Sequence, residues 1–234
     1  MNLDLFNDGI ETYTGEADGL ERYYTPTPIV DALLSRIAPG DLRHNGRVIL
    51  EPCAGRARSV ADAAADWRGA SGKYTVITGD LDPGADVDHH GDALAIDWRS
   101  KIYGRYFWRS ITNPPFSLAA PLVRHLAEHT EHAITMLVRL SFLEPVEDRL
   151  DVLTGFEAVG PLGRSKTWRI SDVLVTPRQK FRQASGGSST DSVTTAWVTW
   201  MPDREGPARF DIITRAEEER WKIARAEGRL GVMS

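Results

Sequence analysis

The sequence contains a single cysteine, Cys53, among its 234 residues. One cysteine excludes an internal disulfide framework and is typical of a protein from a reducing compartment. The sequence also lacks an apolar run long enough to cross a membrane, and its acidic first residues, MNLDLFNDGIE, lack the basic and then apolar pattern of a signal peptide. We therefore expect a cytoplasmic protein with no membrane contact.

A large excess of one charge is also missing. The 28 basic and 33 acidic residues give a net charge of −5, so the surface as a whole is not built to attract a nucleic acid. A local basic patch would be sufficient for that purpose. With 41% hydrophobic residues, the chain can bury the core of one domain of ordinary size.

Short apolar runs alternate with helical patterns through most of the chain. Strand patterns lie at residues 47–52, 74–82, 106–113, 133–140, 172–177 and 192–200, and helical patterns at 25–40, 59–69, 118–130 and 145–156. Strands that alternate with helices predict an α/β fold with a mostly parallel sheet covered on both faces. The last two strand patterns have only a glycine-rich loop between them, which predicts an antiparallel hairpin at one edge of the sheet.

The two ends of the chain differ from this pattern. Residues 1–22 are polar and contain glycine, which predicts an arm or lid rather than core. Residues 205–234 contain the charged helical pattern AEEERWKIARAEGRL, which predicts a solvated face or a contact with a partner. The folded domain is then expected at residues 23–204.

Ligands of such a sheet bind beyond the carboxyl ends of the strands, so residues that directly follow strands are the candidates for a site. Gly55, in EPCAGRARS, lies in a short turn between strand and helix, where the backbone can approach a ligand closely. A dinucleotide fingerprint needs further glycines, but Arg56 and Ala57 stand where the next would fall. The stretch is a weak cofactor motif by itself, and an ordinary turn is an equal alternative.

Acidic residues follow the next strand patterns. Asp80, in GDLDP, comes 25 residues after Gly55 and can accept hydrogen bonds from ribose hydroxyls. Asp82, directly before Pro83, is better explained as a cap or turn residue. Asp92, in HHGDALAIDW, precedes an apolar stretch and alone would indicate only a turn.

The stretch ITNPPFS ends the strand pattern at residues 106–113 with two consecutive prolines. Each proline removes a backbone donor and fixes φ, so a central strand cannot continue through them. The Asn113 side chain and the Pro114 carbonyl present two acceptors on a rigid elbow, a pair that suits the two hydrogens of a planar amino group. The Phe116 ring could stack on the flat ring that carries this amino group.

Asn113-Pro114-Pro115-Phe116 resembles the catalytic motif of the S-adenosylmethionine-dependent methyltransferases that modify adenine N6. YYTPTPIVDALL, ILEPCAGRAR, TGDLDP and GDALAIDW are similar to that family's cofactor motifs and follow their order. VRLSFLEP and a later segment are similar to parts of small phage and prophage DNA adenine methyltransferases. The resemblance covers about residues 21–201. It implies a Rossmann-like class I methyltransferase fold with seven strands, S-adenosyl-L-methionine as the cofactor, and transfer to adenine N6 in DNA.

The resemblance also implies a role for each matching residue, without a metal. The catalytic residues would be Asn113, Pro114, Pro115 and Phe116, and the cofactor-binding residues Tyr24, Thr25, Pro26, Glu51, Cys53, Gly55, Asp80, Leu81, Asp92, Ala93 and Asn113. Family members usually have a second glycine where this chain has Ala57, and alanine is the smallest alternative. Almost everything after residue 117 is needed to finish the sheet, so we expect loops rather than a large domain to recognise the target sequence.

Basic residues with interleaved aromatic residues occur between Gly163 and Arg182 and predict a nucleic-acid contact. The set comprises Arg164, Lys166, Arg169, Arg178, Lys180 and Arg182, with Trp168 and Phe181 among them. Such residues suit phosphate contacts and base stacking, although a solvated basic loop is the plainer alternative. The resemblance implies that Phe181 packs the flipped base against Phe116, and that Arg178, Lys180 and Arg182 contact the substrate.

Several alternatives stay open from the sequence. The same tetrad serves methyltransferases that act on adenine in RNA or on a glutamine amide in proteins, although the glutamine branch usually has tyrosine at the position of Phe116. A degenerate cofactor-binding fold that acts only as an interaction module is a further alternative, favoured only by Ala57. His125 and His129 do not match the spacing of a zinc hydrolase, and a solvated helix face explains them better.

Overall fold

Residues 25–41, 48–67, 75–98, 106–180 and 192–230 are described by the structure, which is a computed structural model. Of residues 38–41, 179–180 and 192–193 only the backbone is described. The helices are α1 (Thr27–Asp41), α2 (Ser59–Asp66), α3 (Ala119–Ala127), α4 (Leu150–Thr154) and α5 (Arg215–Ala226). The strands are β1 (Val48–Glu51), β2 (Thr75–Asp80), β3 (His89–His90), β4 (Phe107–Thr112), β5 (Thr130–Arg139), β6 (Phe156–Val159), β7 (Ser165–Val175), β8 (Gln179–Lys180), β9 (Ser192–Val193), β10 (Thr195–Pro202) and β11 (Arg209–Ile212).

The strands form a mostly parallel sheet in the order β11-β7-β10-β5-β4-β1-β2-β3, with β6 paired to β7 and a separate two-stranded sheet of β8 and β9. β10 is antiparallel to both β5 and β7, and the remaining neighbours along this order are parallel. The predicted α/β fold and the predicted hairpin, β7 with β10, are therefore confirmed. β11 and β6 lie outside the hairpin and pair with opposite ends of β7, which raises the strand count above the expected seven.

The middle strands are buried on both faces, which explains their continuous apolar runs. In β1, Leu50 packs into a core shared with α3 and α4, whereas its neighbour Ile49 packs into the opposite core, shared with α1, α2 and α5. Successive side chains of a strand point to opposite faces, so the alternation in β1 separates the two cores. None of the described helices is long and apolar enough to span a membrane.

The helical pattern at residues 145–156 is shorter in the structure than the sequence indicates. A 3-10 turn at Glu147–Arg149 precedes the five-residue α4, and the chain then enters β6 at Phe156. Gly155, with φ of +131°, separates the helix from the strand. This conformation is open to glycine and strained for other residues, so it ends the helix at that point.

The C-terminal helix α5 belongs to the core, and its expected role as a solvated face is wrong for one of its sides. Trp221 and Ala224 are buried against α1 and α2, and the Trp221 ring lies 5.6 Å from that of Trp67. The Arg225 guanidinium donates to both oxygens of the fully buried Asp31, at 2.6 and 2.8 Å. The exposed charged residues of the pattern, among them Glu219, Arg220 and Lys222, occupy the other side of the helix.

Candidate active site at the carboxyl edge of the sheet

One cleft at the carboxyl edge brings together most of the residues that the sequence singled out. Its lining includes Thr25, Glu51, Cys53, Gly55, Asp80, Leu81, Asp92, Ala93, Asn113 and Pro115. These residues come from the segment before α1 and from the loops after β1, β2, β3 and β4. The empty space of the cleft, together with the solvent at its open mouth, is about 960 Å³.

The loop after β1 is fixed against the end of β2 by two backbone donors. The Ala54 N–H donates to the Gly79 carbonyl at 2.9 Å, and the Gly55 N–H donates to Asp80 Oδ2 at 2.7 Å. Gly55 has φ of +60°, and a Cβ added there would meet no atom within 4 Å. The glycine is therefore required by its backbone conformation, and the space beside it is open to a ligand.

The position of the missing second glycine does not need a glycine in this chain. Ala57 has no positive φ, and the left-handed conformation falls instead on Arg58, with φ of 47° and ψ of 33°. Arg58 is held there by hydrogen bonds from its Nη1 to the Asp86 carbonyl and carboxylate, at 2.8 and 3.0 Å. Alanine in place of the second glycine is therefore compatible with the backbone of this loop.

The Asp80 carboxylate is oriented by the backbone around it. Its Oδ1 accepts from the Asp82 N–H at 2.8 Å, while Oδ2 accepts from Gly55. Asp82 is buried and makes the predicted turn, because its Oδ1 accepts from the Gly84 N–H at 2.9 Å. Asp82 also forms a two-point ion pair with Arg56 at 2.7 and 3.1 Å, a link between the two loops that the sequence did not reveal.

Asp92 and Ala93 lie on a turn that closes another side of the cleft. Asp92 Oδ1 accepts from the Leu94 N–H at 2.9 Å, and the Ala93 carbonyl accepts from the indole of the fully buried Trp98 at 3.1 Å. Trp98 packs directly on Gly79 of β2, where an added Cβ would lie 2.3 Å from its ring. Gly79 and Trp98 thus set the distance between β2 and the Asp92 turn.

Two titratable groups of the β1 loop are held neutral by burial. Burial raises the pKa of Glu51 to about 8, although the Ala61 N–H donates to its Oε2 at 2.7 Å. Burial, and next the negative charge of Asp80, raise the pKa of Cys53 to about 12. Cys53 is therefore a neutral thiol at physiological pH, which excludes a role as an activated nucleophile.

Asn113 directly follows β4, and its side chain is oriented by a residue from the other end of the domain. The Asn113 Nδ2 donates to the Thr25 hydroxyl at 2.9 Å. This bond also fixes the direction of the carboxamide oxygen Oδ1, because Oδ1 and Nδ2 lie in one plane on opposite sides of the Cβ–Cγ axis. Pro114 and Pro115 follow without a strand, and a 3-10 turn then begins at Phe116. The prolines therefore end β4, as predicted, and their rigid backbone holds Asn113 at the carboxyl edge of the sheet.

Phe116 is half-buried and contacts an arginine that the sequence did not single out. The guanidinium carbon of Arg139 lies 4.6 Å from the centroid of the Phe116 ring, a cation–π geometry. Arg139 is the last residue of β5, the strand beside β4. Its position directly after the mostly apolar run AITMLV was the available signal in the sequence.

Three of the predicted site residues, Tyr24, Phe181 and Arg182, lie outside the described residues. Pro26 does not line the cleft; its carbonyl accepts from the Ile29 N–H at 3.1 Å at the start of α1. Lys180 lies in β8, where only the backbone is described.

The predicted basic loop between Gly163 and Arg182 is not a single surface. Eleven of its residues form β7, so Arg164 and Arg178 lie at opposite ends of a strand about 33 Å long. Trp168 is fully buried and cannot stack on a base, and Lys166 pairs with Glu131 at the amino end of β5. Of the basic residues proposed to contact the substrate, Arg178 has a described side chain, and it lies at the edge that carries the cleft.

His125 of α3 and His129, which lies between α3 and β5, are at the other end of the sheet. His129 is buried, so the predicted solvated helix face is wrong for this residue. The His125 and His129 rings are 4.6 Å apart, and His125 Nε2 lies 3.1 Å from the Ile96 carbonyl. In the part of the chain that the structure describes, no group of three or more His, Cys, Asp or Glu residues could hold a metal ion.

The chain is similar to known proteins in sequence and in fold. No protein-family model matches the chain. A curated relative, ribosomal RNA small subunit methyltransferase A of Cupriavidus pinatubonensis, is 27% identical over 151 residues, which cover 58% of this chain and 52% of the relative. The chain thus spans about half the length of that relative.

Two solved structures share the fold. The methyltransferase subunit of a type I restriction-modification system from Streptococcus thermophilus has a TM-score of 0.57 at 15% identity, over 92% of this chain and 55% of that one. A protein from Listeria monocytogenes, assigned to the class I S-adenosylmethionine-dependent methyltransferases, has a TM-score of 0.57 at 13% identity, over 93% and 75%. This likeness shows that the chain has the α/β fold of the class I methyltransferases.

Proposed function

We propose that this chain transfers a methyl group from S-adenosylmethionine to the N6 amino group of adenine in DNA. The observation that carries the proposal is that Asn113, the first residue of the Asn-Pro-Pro-Phe tetrad, lines the same cleft as Gly55, Asp80 and Asp92. Residues that resemble cofactor motifs and a residue that resembles a catalytic motif come from distant parts of the chain. Their meeting in one cleft supports a reaction between two ligands.

The chemistry of the cleft fits the cofactor. S-Adenosylmethionine carries a sulfonium and an ammonium group, and the lining contributes the carboxylates of Asp80, Asp82 and Asp92. Asp80, whose two oxygens are oriented by backbone donors, would accept hydrogen bonds from the ribose hydroxyls. Thr25, Glu51 and Cys53 line the same space. Ala93 and Leu81 would contact the adenine ring of the cofactor.

Asn113 and Pro114 would bind the acceptor amino group. Their two carbonyl oxygens accept the two amino hydrogens, which draws the nitrogen toward tetrahedral geometry and frees its lone pair from the ring. When bound, S-adenosylmethionine supplies an electrophilic methyl group, which leaves its sulfur as the bond to the nitrogen forms and the amino group loses a proton to water. Because that proton becomes acidic only as the bond forms, the residues act by position and by their dipoles.

Phe116 would hold the adenine ring beside Asn113. A base inside a duplex cannot reach the cleft, so it must be extruded or already unpaired. Stacking on an aromatic side chain stabilises an unpaired base by about 1–3 kcal/mol. The rigid prolines keep the ring and the amide at a constant separation along the edge, so one stacked base presents its amino group to one amide.

The test combines binding of the cofactor with transfer of its methyl group. Calorimetry should detect binding of S-adenosylmethionine to the purified chain, and a labelled methyl group should pass to adenine-containing DNA oligonucleotides. Oligonucleotides in which adenine is replaced by 2,6-unsubstituted purine, which lacks the amino group, serve as the control. No cofactor binding would favour a degenerate interaction module, and labelling of the control would contradict N6 as the acceptor.

RNA is a second candidate substrate, because the curated relative is a ribosomal RNA methyltransferase. The same residues would act on the same amino group, since the adenine ring is common to both polymers. RNA oligonucleotides of matched sequence belong in the same assay. Labelling of RNA alone would replace the proposed DNA substrate and leave the roles of Asn113 and Pro114 unchanged.

A further inference from the structure

The carboxyl edge of the sheet is divided by charge on the two sides of Asn113. On one side, the described parts of the loops after β1, β2 and β3 carry acidic residues, and Arg56 and Arg58 form ion pairs with Asp82 and Asp86. On the other side, beyond β4, arginines follow three strands. These carboxyl-edge arginines are Arg139 after β5, Arg178 after β7 and Arg215 after β11.

The sheet fixes the positions of these arginines. Arg139 ends β5 opposite Thr195, and the Thr195 carbonyl accepts from the Thr176 N–H at the end of β7, two residues before Arg178. The Arg215 guanidinium in turn donates to the Arg178 carbonyl. The three residues therefore follow one another along the edge in the order of the strands.

Their spacing matches an extended polymer. Neighbouring strands lie about 4.8 Å apart, so the edge from β4 across β5 and β10 to β7 and β11 spans about 19 Å. One strand of a duplex rises about 3.4 Å per nucleotide, so this span corresponds to between five and six nucleotides, by the same order-of-magnitude reckoning. Asn113 stands at one end of the row.

Two of the three side chains are exposed to solvent, where a phosphate group can reach them. The side chain of Arg215 is 65% exposed and Arg178 is exposed, whereas Arg139 is half-buried against Phe116. Glu218 pairs with Arg215 from within α5 at 2.8 Å, and Glu144 is exposed beyond the end of β5. Further along the chain, the Asp151 carboxylate pairs with Arg124 of α3, which also donates to the main-chain carbonyl of Asp148.

We propose that Arg139, Arg178 and Arg215 form the track on which the phosphate backbone of the nucleic acid lies as its adenine enters the cleft. The proposal rests on the proposed function and names the surface through which the same site binds its polymer. Guanidinium groups bind phosphate oxygens at two points, and the acidic half of the edge repels the same backbone, so the charge pattern gives the strand one path. Arg139 holds the end of the track next to Phe116.

The test measures how salt changes the binding of labelled single-stranded and duplex DNA, with RNA of the same sequence as a further arm. The logarithm of the association constant falls linearly with the logarithm of the salt concentration. Each phosphate contact adds about 0.7 (single strand) or about 0.9 (duplex) to the magnitude of this slope. We expect Arg178→Gln and Arg215→Gln each to lower the slope by roughly this amount, and the double variant by about twice as much. Arg139→Gln should do the same and should also slow transfer, since its side chain contacts Phe116.

The matched control is Arg164→Gln, because Arg164 is exposed at the opposite end of β7. It should leave the slope unchanged, and all variants should keep the thermal unfolding and cofactor affinity of the wild type. Equal slopes for wild type and the Arg178/Arg215 double variant, an equal loss from Arg164→Gln, or no binding of any polymer would overturn the track. Polymer binding with the expected slopes but without methyl transfer would instead refute the proposed function and leave the track intact.

Discussion

Thr25 and Asn113 are 88 residues apart in the chain and meet through a hydrogen bond of 2.9 Å from the carboxamide Nδ2 to the hydroxyl. Thr25 is buried just before α1, and Asn113 directly follows β4. The bond therefore connects the segment expected to bind the cofactor with the residue expected to bind the acceptor. Because an amide has its donor and acceptor on opposite sides, fixing Nδ2 also fixes the direction of Oδ1.

Loss of the Thr25 hydroxyl should slow transfer more than it weakens cofactor binding. Thr25→Val keeps the shape of the side chain but removes the acceptor of the Asn113 amide, which costs about 1–3 kcal/mol for a buried donor. We expect kcat for methyl transfer to fall by about tenfold to a hundredfold, with little change in the Kd of S-adenosylmethionine. Thr25→Ser should restore kcat. A raised Kd with an unchanged kcat would show that Thr25 serves only the cofactor.

The buried carboxyl of Glu51 should make the stability of the fold fall as pH rises. Its pKa is about 8 in the folded chain against 4.5 for the ordinary group, so between these values the folded state holds a proton that the unfolded state has lost. The free energy of unfolding should therefore decrease between about pH 5 and pH 8, by up to a few kcal/mol from this group.

Glu51→Gln tests this assignment, because glutamine keeps an acceptor for the Ala61 N–H and has no proton to lose. Denaturant unfolding of both proteins at several pH values is the measurement. The difference in unfolding free energy between variant and wild type should grow in favour of the variant from pH 5 to pH 8. A difference that does not vary with pH would contradict the raised pKa.

The ion pair between Arg225 and Asp31 should be needed to hold α5 on the domain. Arg225→Met keeps the apolar stem of the side chain but removes the guanidinium that pairs with the buried Asp31 carboxylate. The indole N–H of Trp67, which donates to Asp31 at 2.9 Å, does not replace that positive charge. The free energy of unfolding should fall by about 3 kcal/mol, the scale for a buried charge that loses its partner. Arg220→Met, on the exposed side of the same helix, should change it by less than about 0.5 kcal/mol. Equal changes in unfolding free energy for the two substitutions would contradict this role of the ion pair and would indicate that α5 is a solvated extension.

The sequence was sufficient for the order of the helices and of strands β1, β2, β4, β5, β7 and β10, and for the residues that directly follow the strands at the cleft. It did not reveal β3, β6 or β11. Gly55, Asp80 and Asn113 could be identified because parallel strands bring their carboxyl ends to one edge, whatever the details of packing. The roles of these residues remain predictions, as do the boundaries of the arm, domain and extension.

The sequence was not sufficient where structure depends on distant partners. The first half of β7, SKTWRIS, is polar and basic, and it becomes a strand because β10 and β6 pair with it. This pairing separates Arg164 from Arg178 and buries Trp168, so a basic loop predicted from local composition became two surfaces. In α5, the buried Trp221 and Ala224 are hidden among charged residues in the sequence, and only the packing against α1 reveals them.

Nucleoside mass spectrometry tests the central claim most directly. DNA and RNA from cells that express the wild type or Asn113→Ala are digested, and N6-methyladenine is quantified in each polymer against cells without the protein. We expect the modified nucleoside in DNA with the wild type and only the background level with the variant, while the purified variant still binds S-adenosylmethionine. Equal amounts from wild type and variant, or none above background from either, would contradict the account.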